Sequence, residues 1–175
     1  MRLLEHRRHS RRDPFGVHLA PAGVRLARRV ASTIGRFDRV VTSPKPRAVE
    51  TATAMGFPVD EEVEALERMP DEVEARVDEA RPRSFADYAA LVRRSGVVAE
   101  FARSQSALWE AELARVPEGG RLLLISHGGV IELGAAAAVP QRVDSWGPSV
   151  GYLEGVRLTR EGNQWTEGEV LRVEV

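Results

Sequence analysis

The sequence predicts an α/β fold, a three-layer α/β/α sandwich around a mostly parallel central sheet. The apolar run Leu122–Ile125 is typical of a strand that is covered on both faces. Strand and helix patterns alternate along the chain, and three predicted strands end in polar loops. The 175 residues, 43% of them hydrophobic, supply enough apolar material for one core. We therefore expect one domain over residues 1–175.

Charge and composition exclude several classes of function. Lys and Arg number 25 and Asp and Glu 26, so a formal net charge of −1 provides no overall attraction for nucleic acid or an anionic membrane. The chain has no cysteine, which excludes disulfides, thiolate metal sites and a cysteine nucleophile. No apolar run approaches the roughly 20 residues that span a bilayer. We predict a cytoplasmic protein, of bacterial type by its Arg- and Ala-rich composition, and leave its oligomeric state open.

The first third of the chain predicts two strand–helix pairs. A short strand, residues 2–6, leads into a basic polar loop. Apolar residues then recur at helical spacing from Pro21, and Gly35 is a stop signal. A β-branched centre predicts a strand over residues 37–42, and a helix follows over residues 47–55 after two prolines.

The middle of the chain differs in composition. Residues 60–83 are acidic and contain few large apolar side chains. Residues 85–116 predict one or two helices with a break near Gly96. We interpret residues 60–115 as an inserted, cap-like segment over the core.

The last third predicts the centre and the edge of the sheet. The buried strand at Leu122–Ile125 is followed by a His-Gly-Gly turn and by a helix over residues 130–138. From residue 151 to the end, alternating apolar residues around Gly162-Asn163 predict an antiparallel pair of strands.

Basic residues and histidines follow three of these strands. Arg8-His9, Arg47 and His127 each lie just beyond a predicted strand end, where ligands bind in open α/β sheets. Arginine binds phosphate oxygens with a planar fork, and the Gly128-Gly129 backbone at a helix start offers N–H donors. A neutral imidazole can accept a phosphoryl group. This chemistry requires neither a metal nor a cofactor.

Four motifs carry a resemblance to one family. Arg8-His9-Ser10 resembles the Arg-His-Gly signature of the histidine phosphatase (phosphoglycerate mutase-like) superfamily. Residues 18–23 resemble its Leu-Thr-x-x-Gly helix start, and residues 42–52 resemble its Ser-Ser-Pro-x-x-Arg-Ala-x-x-Thr-Ala segment. Residues 125–129 resemble its second histidine motif, and the order and spacing of the motifs also agree.

The resemblance implies a phosphoglycerate mutase-like fold and a role for each matched residue. His9 would accept the phosphoryl group, Arg8 and Arg47 would clamp it, and His127 would donate to it as charge builds. Ser10 replaces the usual glycine and brings a hydroxyl group beside the phosphate. The phosphate-binding residues implied in this way are Arg8, Ser10, Arg47, His127 and Gly128.

The acid that protonates the leaving group is assigned by a weaker resemblance. Leu66-Glu67-Arg68 resembles the stretch that carries this acid in several members, so we take Glu67 as the candidate. Other carboxylates lie close enough in sequence to compete with it: Glu64, Asp71, Glu72 and Glu74. A phosphohistidine substrate, or another with a good leaving group, needs no acid.

Several neighbouring residues have open or structural roles. The pair Arg7-Arg8 leaves open which arginine faces the site, although the spacing favours Arg8. Arg11 or Arg12 can contact the substrate beyond the phosphate. We expect His6 in the core, and His18 in a structural position or at the pocket rim.

These patterns predict a metal-independent phosphatase that acts on a small phosphorylated substrate through a phosphohistidine on His9. Three alternatives stay open. They are a phosphoglycerate mutase-type phosphotransferase, a phosphohistidine protein phosphatase, and a catalytically silent phosphate-binding module.

Overall fold

The computed structural model of the chain describes residues 1–174. Its strands are β1 (Arg2–Arg8), β2 (Arg39–Thr42), β3 (Glu61–Glu62), β4 (Arg121–Ser126), β5 (Gly155–Glu161) and β6 (Gln164–Leu171). Its α-helices are α1 (Pro21–Ala31), α2 (Pro46–Ala54), α3 (Asp71–Ala80), α4 (Phe85–Arg94), α5 (Gly96–Ala114) and α6 (Val130–Ala138), and two 3-10 turns lie at Glu64–Leu66 and Val143–Ser145. None of the helices in this described range is both long and apolar enough to cross a membrane.

The six strands form one sheet in the order β3-β2-β4-β1-β5-β6. Strands β3, β2, β4 and β1 run parallel to one another. Strands β5 and β6 add an antiparallel pair at the other edge. The mostly parallel α/β fold predicted from the sequence is therefore confirmed.

Alternate residues of β4 pack against two different helical layers. Leu122 and Leu124 face a core cluster that includes Trp109 of α5 and Ile131 of α6. Leu123 and Ile125 face a second cluster that contains the buried residues of α1 and α2. All four β4 side chains are fully buried, as expected for a strand covered on both faces.

Close packing in the first of these layers depends on a missing side chain. A Cβ at Gly134 of α6 would lie 2.2 Å from the Trp109 ring, so only glycine allows this approach. The contact locks α5 against α6, and α6 begins at Val130, shortly after His127.

Element boundaries differ from the prediction where backbone pairing overrides side-chain polarity. Strand β1 continues to Arg8 because Arg7 and Arg8 pair with β4 despite their charge. Helix α1 ends at Ala31, a turn before Gly35, and β2 begins at Arg39. Strand β3 was missed because Glu61-Glu62 carries no hydrophobic pattern.

The segment 60–115 contributes to both the sandwich and its surroundings. Strand β3 extends the sheet, and α5 packs on it through the fully buried Trp109. Helix α3 is mostly exposed and buries only Val73 within its own span. The cap-like role of residues 60–115 stays a prediction.

Candidate active site

The loops after β1, β2 and β4 meet at the end of the sheet where these parallel strands finish. His9 N–H donates to the Ser126 carbonyl at 2.9 Å, and Ser43 N–H donates to the Ile125 carbonyl at 2.9 Å. The rings of His9 and His127 lie 5.3 Å apart between centroids. Both rings line a cavity of about 540 Å³. Its wall comprises Arg8, His9, Arg12, Arg47, Pro82, Tyr88, His127, Gly128, Gly129, Glu132, Ser149 and Val150.

His9 is held as a neutral imidazole with one nitrogen free for chemistry. Its Nδ1 lies 2.7 Å from the Ser10 carbonyl, which can only accept, so the ring proton belongs on Nδ1. The pKa of His9 is lowered to about 4, mainly by burial and also by the positive charges of Arg47, Arg8 and Arg12, whereas the hydrogen bond to Ser10 raises it. Nε2 therefore carries a lone pair at neutral pH and accepts from Arg47 Nε at 3.1 Å.

Arg8 lines the cavity and keeps part of its donor capacity unused. One guanidinium nitrogen donates to the Val150 carbonyl at 3.0 Å, whereas the buried Nε has no partner among residues 1–174. Arg7 points to the other face of the sheet, where it binds Glu5 and the Leu153 carbonyl. The structure thus resolves the open choice in favour of Arg8.

Arg47 connects the two histidines. It donates through Nε to His9 and approaches His127 Nδ1 at 3.4 Å. Burial lowers the pKa of Arg47, and the positive charges of Arg12 and Arg8 lower it further. Arginine nevertheless stays protonated in proteins, so the three guanidinium groups form a cationic cluster that an anion stabilises.

His127 is also neutral and is oriented by a serine. Its Nε2 lies 2.8 Å from Ser43 Oγ, and that oxygen also accepts from Lys45 N–H at 3.2 Å. Burial, followed by the charge of Arg47, lowers the pKa of His127 to about 3. While Arg47 donates to Nδ1, the ring proton of His127 lies on Nε2 and faces Ser43 Oγ. Once a ligand takes up the Arg47 donor, the Ser43 hydroxyl can donate to Nε2, and a proton on Nδ1 can be donated to an oxygen in the cavity.

Two expected phosphate contacts are corrected by the hydrogen bonds. The Ser10 hydroxyl is fully buried and donates to the Gly23 carbonyl at 2.7 Å, so Ser10 serves the site through the carbonyl that orients His9. Gly129 N–H donates to Glu132 Oε2 at 2.6 Å and is not available to a ligand. Gly128 remains in the cavity wall, beside the Arg8 guanidinium.

The sequence profile of the histidine phosphatase superfamily (branch 1) matches residues 5–170. The chain belongs to the histidine phosphatase superfamily. The four motifs identified in the sequence all fall within or beside this match, and the resemblance stated above is confirmed. A comparison with curated protein sequences gives no significant match.

Solved structures of three other proteins share the fold. A phosphoserine phosphatase from Entamoeba histolytica has a TM-score of 0.71 at 17% identity, over 99% of this chain and 98% of that one. A phosphoglycerate mutase from Bacillus anthracis has a TM-score of 0.64 at 15% identity, over 94% of this chain and 90% of that one. A mycobacterial glucosyl-3-phosphoglycerate phosphatase has a TM-score of 0.59 at 22% identity, over 99% of this chain and 100% of that one. At such identities the likeness shows the fold alone.

The candidate acid of this superfamily member lies outside the cavity wall. Glu67 forms an ion pair with Lys45 at 2.6 Å and is 25% exposed. Its charge still acts on Arg47, which places it at the edge of the site. The four competing carboxylates are all exposed, and Glu72 borders a separate cavity between α3 and α4.

The other two histidines lie outside the cavity. His6 is fully buried, contacts Ser126 Oγ at 2.6 Å and meets the Trp109 ring edge-on, as the core prediction requires. His18 is exposed and pairs with Glu50.

Sequence reasoning missed Glu132, Tyr88 and Tyr152. Glu132 is buried and accepts from both Gly129 N–H and Val150 N–H, and burial raises its pKa. Its place three residues into a helix after a glycine is the spacing of a capping residue, a signal that could have found it. Tyr88 and Tyr152 reach the site only through long-range contacts, which no local pattern reveals.

Proposed function

We propose that this chain is a phosphatase that hydrolyses a phosphomonoester, or a similar small phosphorylated substrate, through a phosphohistidine on His9. The observation that carries the proposal is the state of His9. Its Nδ1 is committed to the Ser10 carbonyl, and Nε2 faces a cavity that contains three arginines. A neutral nucleophile beside donors for a phosphoryl group suits metal-independent phosphoryl transfer.

The reaction follows from these contacts in two steps. The substrate phosphate takes over the Arg47 donor from His9 Nε2, which then attacks phosphorus while the bond to the leaving oxygen breaks. The Arg8 guanidinium and His127 Nδ1 donate to the phosphoryl oxygens as charge builds. Water then attacks the phosphohistidine, releases inorganic phosphate and restores neutral His9.

The leaving alkoxide takes up a proton, and we propose Glu67 as its source. Glu67 lies at the edge of the site through its pair with Lys45, and Lys45 immediately precedes the helix that carries Arg47. To act as the acid, Glu67 has to leave Lys45 and bind a proton. Substrate binding beside Arg47 would alter the charges around this pair.

One observation favours a second candidate, a phosphatase for phosphohistidine or another phosphoramidate. Among residues 1–174, the only carboxyl group in the cavity wall is that of Glu132, and both of its oxygens are occupied by backbone N–H groups. A substrate with a good leaving group would make Glu67 unnecessary. Glu67→Gln separates the candidates, because it slows alkyl phosphate hydrolysis by about 100-fold under the first and leaves phosphoramidate hydrolysis intact under the second.

The decisive experiment measures hydrolysis of p-nitrophenyl phosphate in EDTA. The wild-type protein and the control His18→Ala should both turn over, whereas His9→Ala should not. A rapid quench under alkaline denaturing conditions, which preserve the P–N bond, should trap a phosphohistidine that His9→Ala lacks. Activity that requires a metal, or that survives in His9→Ala, would contradict the proposal.

A further inference from the structure

Arg12 enters the cavity from a different wall than the two arginines beside His9. It lies in a short hairpin, where it pairs with Leu19 in an antiparallel bridge. Asp13 N–H donates to the His18 carbonyl at 2.9 Å, and Leu19 N–H donates to Glu50 of α2 at 2.7 Å. The hairpin is therefore fastened to the helix that also carries Arg47.

The Arg12 guanidinium is a cation without an acidic partner among residues 1–174. Its one hydrogen bond goes to the Gly16 carbonyl at 3.3 Å, on the same hairpin. It lines the cavity together with Arg8 and Arg47, and its charge lowers the pKa of Arg47. Three like charges in one cavity repel one another until anions bind between them.

One phosphoryl group does not account for all three arginines. Arg47 contacts His9 directly, and the Arg8 guanidinium lines the same cavity, so these two suffice to hold a phosphoryl group at Nε2. No free carboxylate in the wall balances Arg12, since Glu132 is occupied by backbone groups. At about 540 Å³ the cavity also has room for more than a phosphate.

We infer that Arg12 forms a second anion subsite, and that preferred substrates carry a carboxylate or a second phosphate a few bonds from the transferred phosphoryl group. This inference rests on the proposed function. A guanidinium group binds a carboxylate and a phosphate with the same planar fork. The position of Arg12 therefore selects a second negative charge and its distance from the phosphorus, but it does not distinguish between the two groups. Arg12 is accordingly a specificity-determining residue.

The test compares kcat/KM for three substrates that differ in the second group: propyl phosphate, phosphoglycolate and propane-1,3-diol bisphosphate. Wild type should prefer one or both of the substrates that carry a second anionic group, and the preferred substrate identifies which anion Arg12 binds. Arg12→Gln should lose about 10- to 100-fold on that substrate, chiefly through KM, and at least tenfold less on propyl phosphate. The control Arg28→Gln changes an exposed arginine of α1 outside the cavity wall and should match wild type.

Equal losses on all three substrates would make Arg12 part of the phosphate clamp and would overturn the inference, as would no loss on any. If wild type hydrolyses nothing, the proposed function fails instead. Calorimetric titration with phosphoglycolate and with inorganic phosphate then tests the subsite separately. Tighter binding of phosphoglycolate that Arg12→Gln abolishes supports the subsite, and equal affinity refutes it.

Discussion

The aromatic ring of Tyr152 lies against the guanidinium group of Arg8, with 4.7 Å between Arg8 Cζ and the ring centroid. The same ring lies 5.8 Å from the ring of His9. Arg8 is held from the other direction by the Val150 carbonyl and through its own N–H by the Glu154 carbonyl. The loop before β5 thus fixes the guanidinium without an acidic partner and leaves its charge available to a phosphate.

We expect Tyr152→Leu to lower kcat/KM for p-nitrophenyl phosphate by about 5- to 30-fold, because a partly desolvated cation–π contact contributes roughly 1–2 kcal/mol. Tyr152→Phe keeps the ring and should stay within about threefold of wild type. The loss in Tyr152→Leu should appear in KM, since Arg8 binds the phosphate. If Tyr152→Phe loses as much as Tyr152→Leu, the hydroxyl group and not the ring is what matters.

Arg47→Ala should lower kcat by about 100-fold or more, because it removes a donor to the transferred phosphoryl group. It also removes a positive charge that lowers the pKa of His9, so that pKa should move up from about 4. Stopped assays measure the first effect, and NMR titration of the His9 ring measures the second. Arg93→Ala, which removes an exposed arginine paired with Asp144, is the matched control. An unchanged His9 pKa would contradict the described contact.

The free energy of unfolding should fall as the pH drops from about 6.5 to about 4. Burial lowers the pKa values of His6, His9 and His127 to about 3, 4 and 3, whereas an unfolded histidine titrates near 6.5. The unfolded state therefore binds more protons throughout this window, and each histidine removes about 1.4 kcal/mol of stability per pH unit. Urea unfolding at several pH values measures the slope.

His6→Gln removes one titrating group and should reduce that slope by about 1.4 kcal/mol per pH unit. Arg28→Gln, at an exposed position of helix α1, should leave it unchanged. If His6→Gln has the same slope of unfolding free energy against pH as wild type, His6 is protonated in the folded state.

Glu132→Ala should destabilise the protein by about 2–4 kcal/mol. The substitution leaves the N–H groups of Gly129 and Val150 without acceptors in a buried position. Thermal unfolding at pH 7 measures the loss, and Glu79→Ala on the exposed face of α3 is the control. A loss below about 1 kcal/mol would show that water replaces the carboxylate.

The fold was predictable because its main determinants are local. The apolar run of β4, prolines at helix starts and polar loops at strand ends each leave a pattern in the sequence. The same locality identified Arg8, His9, Arg47 and His127, which the fold brings into one cavity.

Other features depend on contacts between distant parts of the chain. The Ser10 hydroxyl binds Gly23, and Tyr152 reaches Arg8 from a loop more than a hundred residues away. Strand β3 exists because β2 offers it a partner. Such pairings follow from the assembled fold, and neither composition nor periodicity encodes them separately.

Gly23 has a consequence for how substrates exchange. A Cβ at this position would lie 2.0 Å from the Arg11 carbonyl oxygen, so the hairpin and helix α1 are in direct backbone contact. We therefore expect the hairpin side of the cavity rim to move with the helix and not to fold over the substrate. A substrate would then spend little of its affinity on ordering this side of the rim, and it would enter and leave there without waiting for a loop to rearrange.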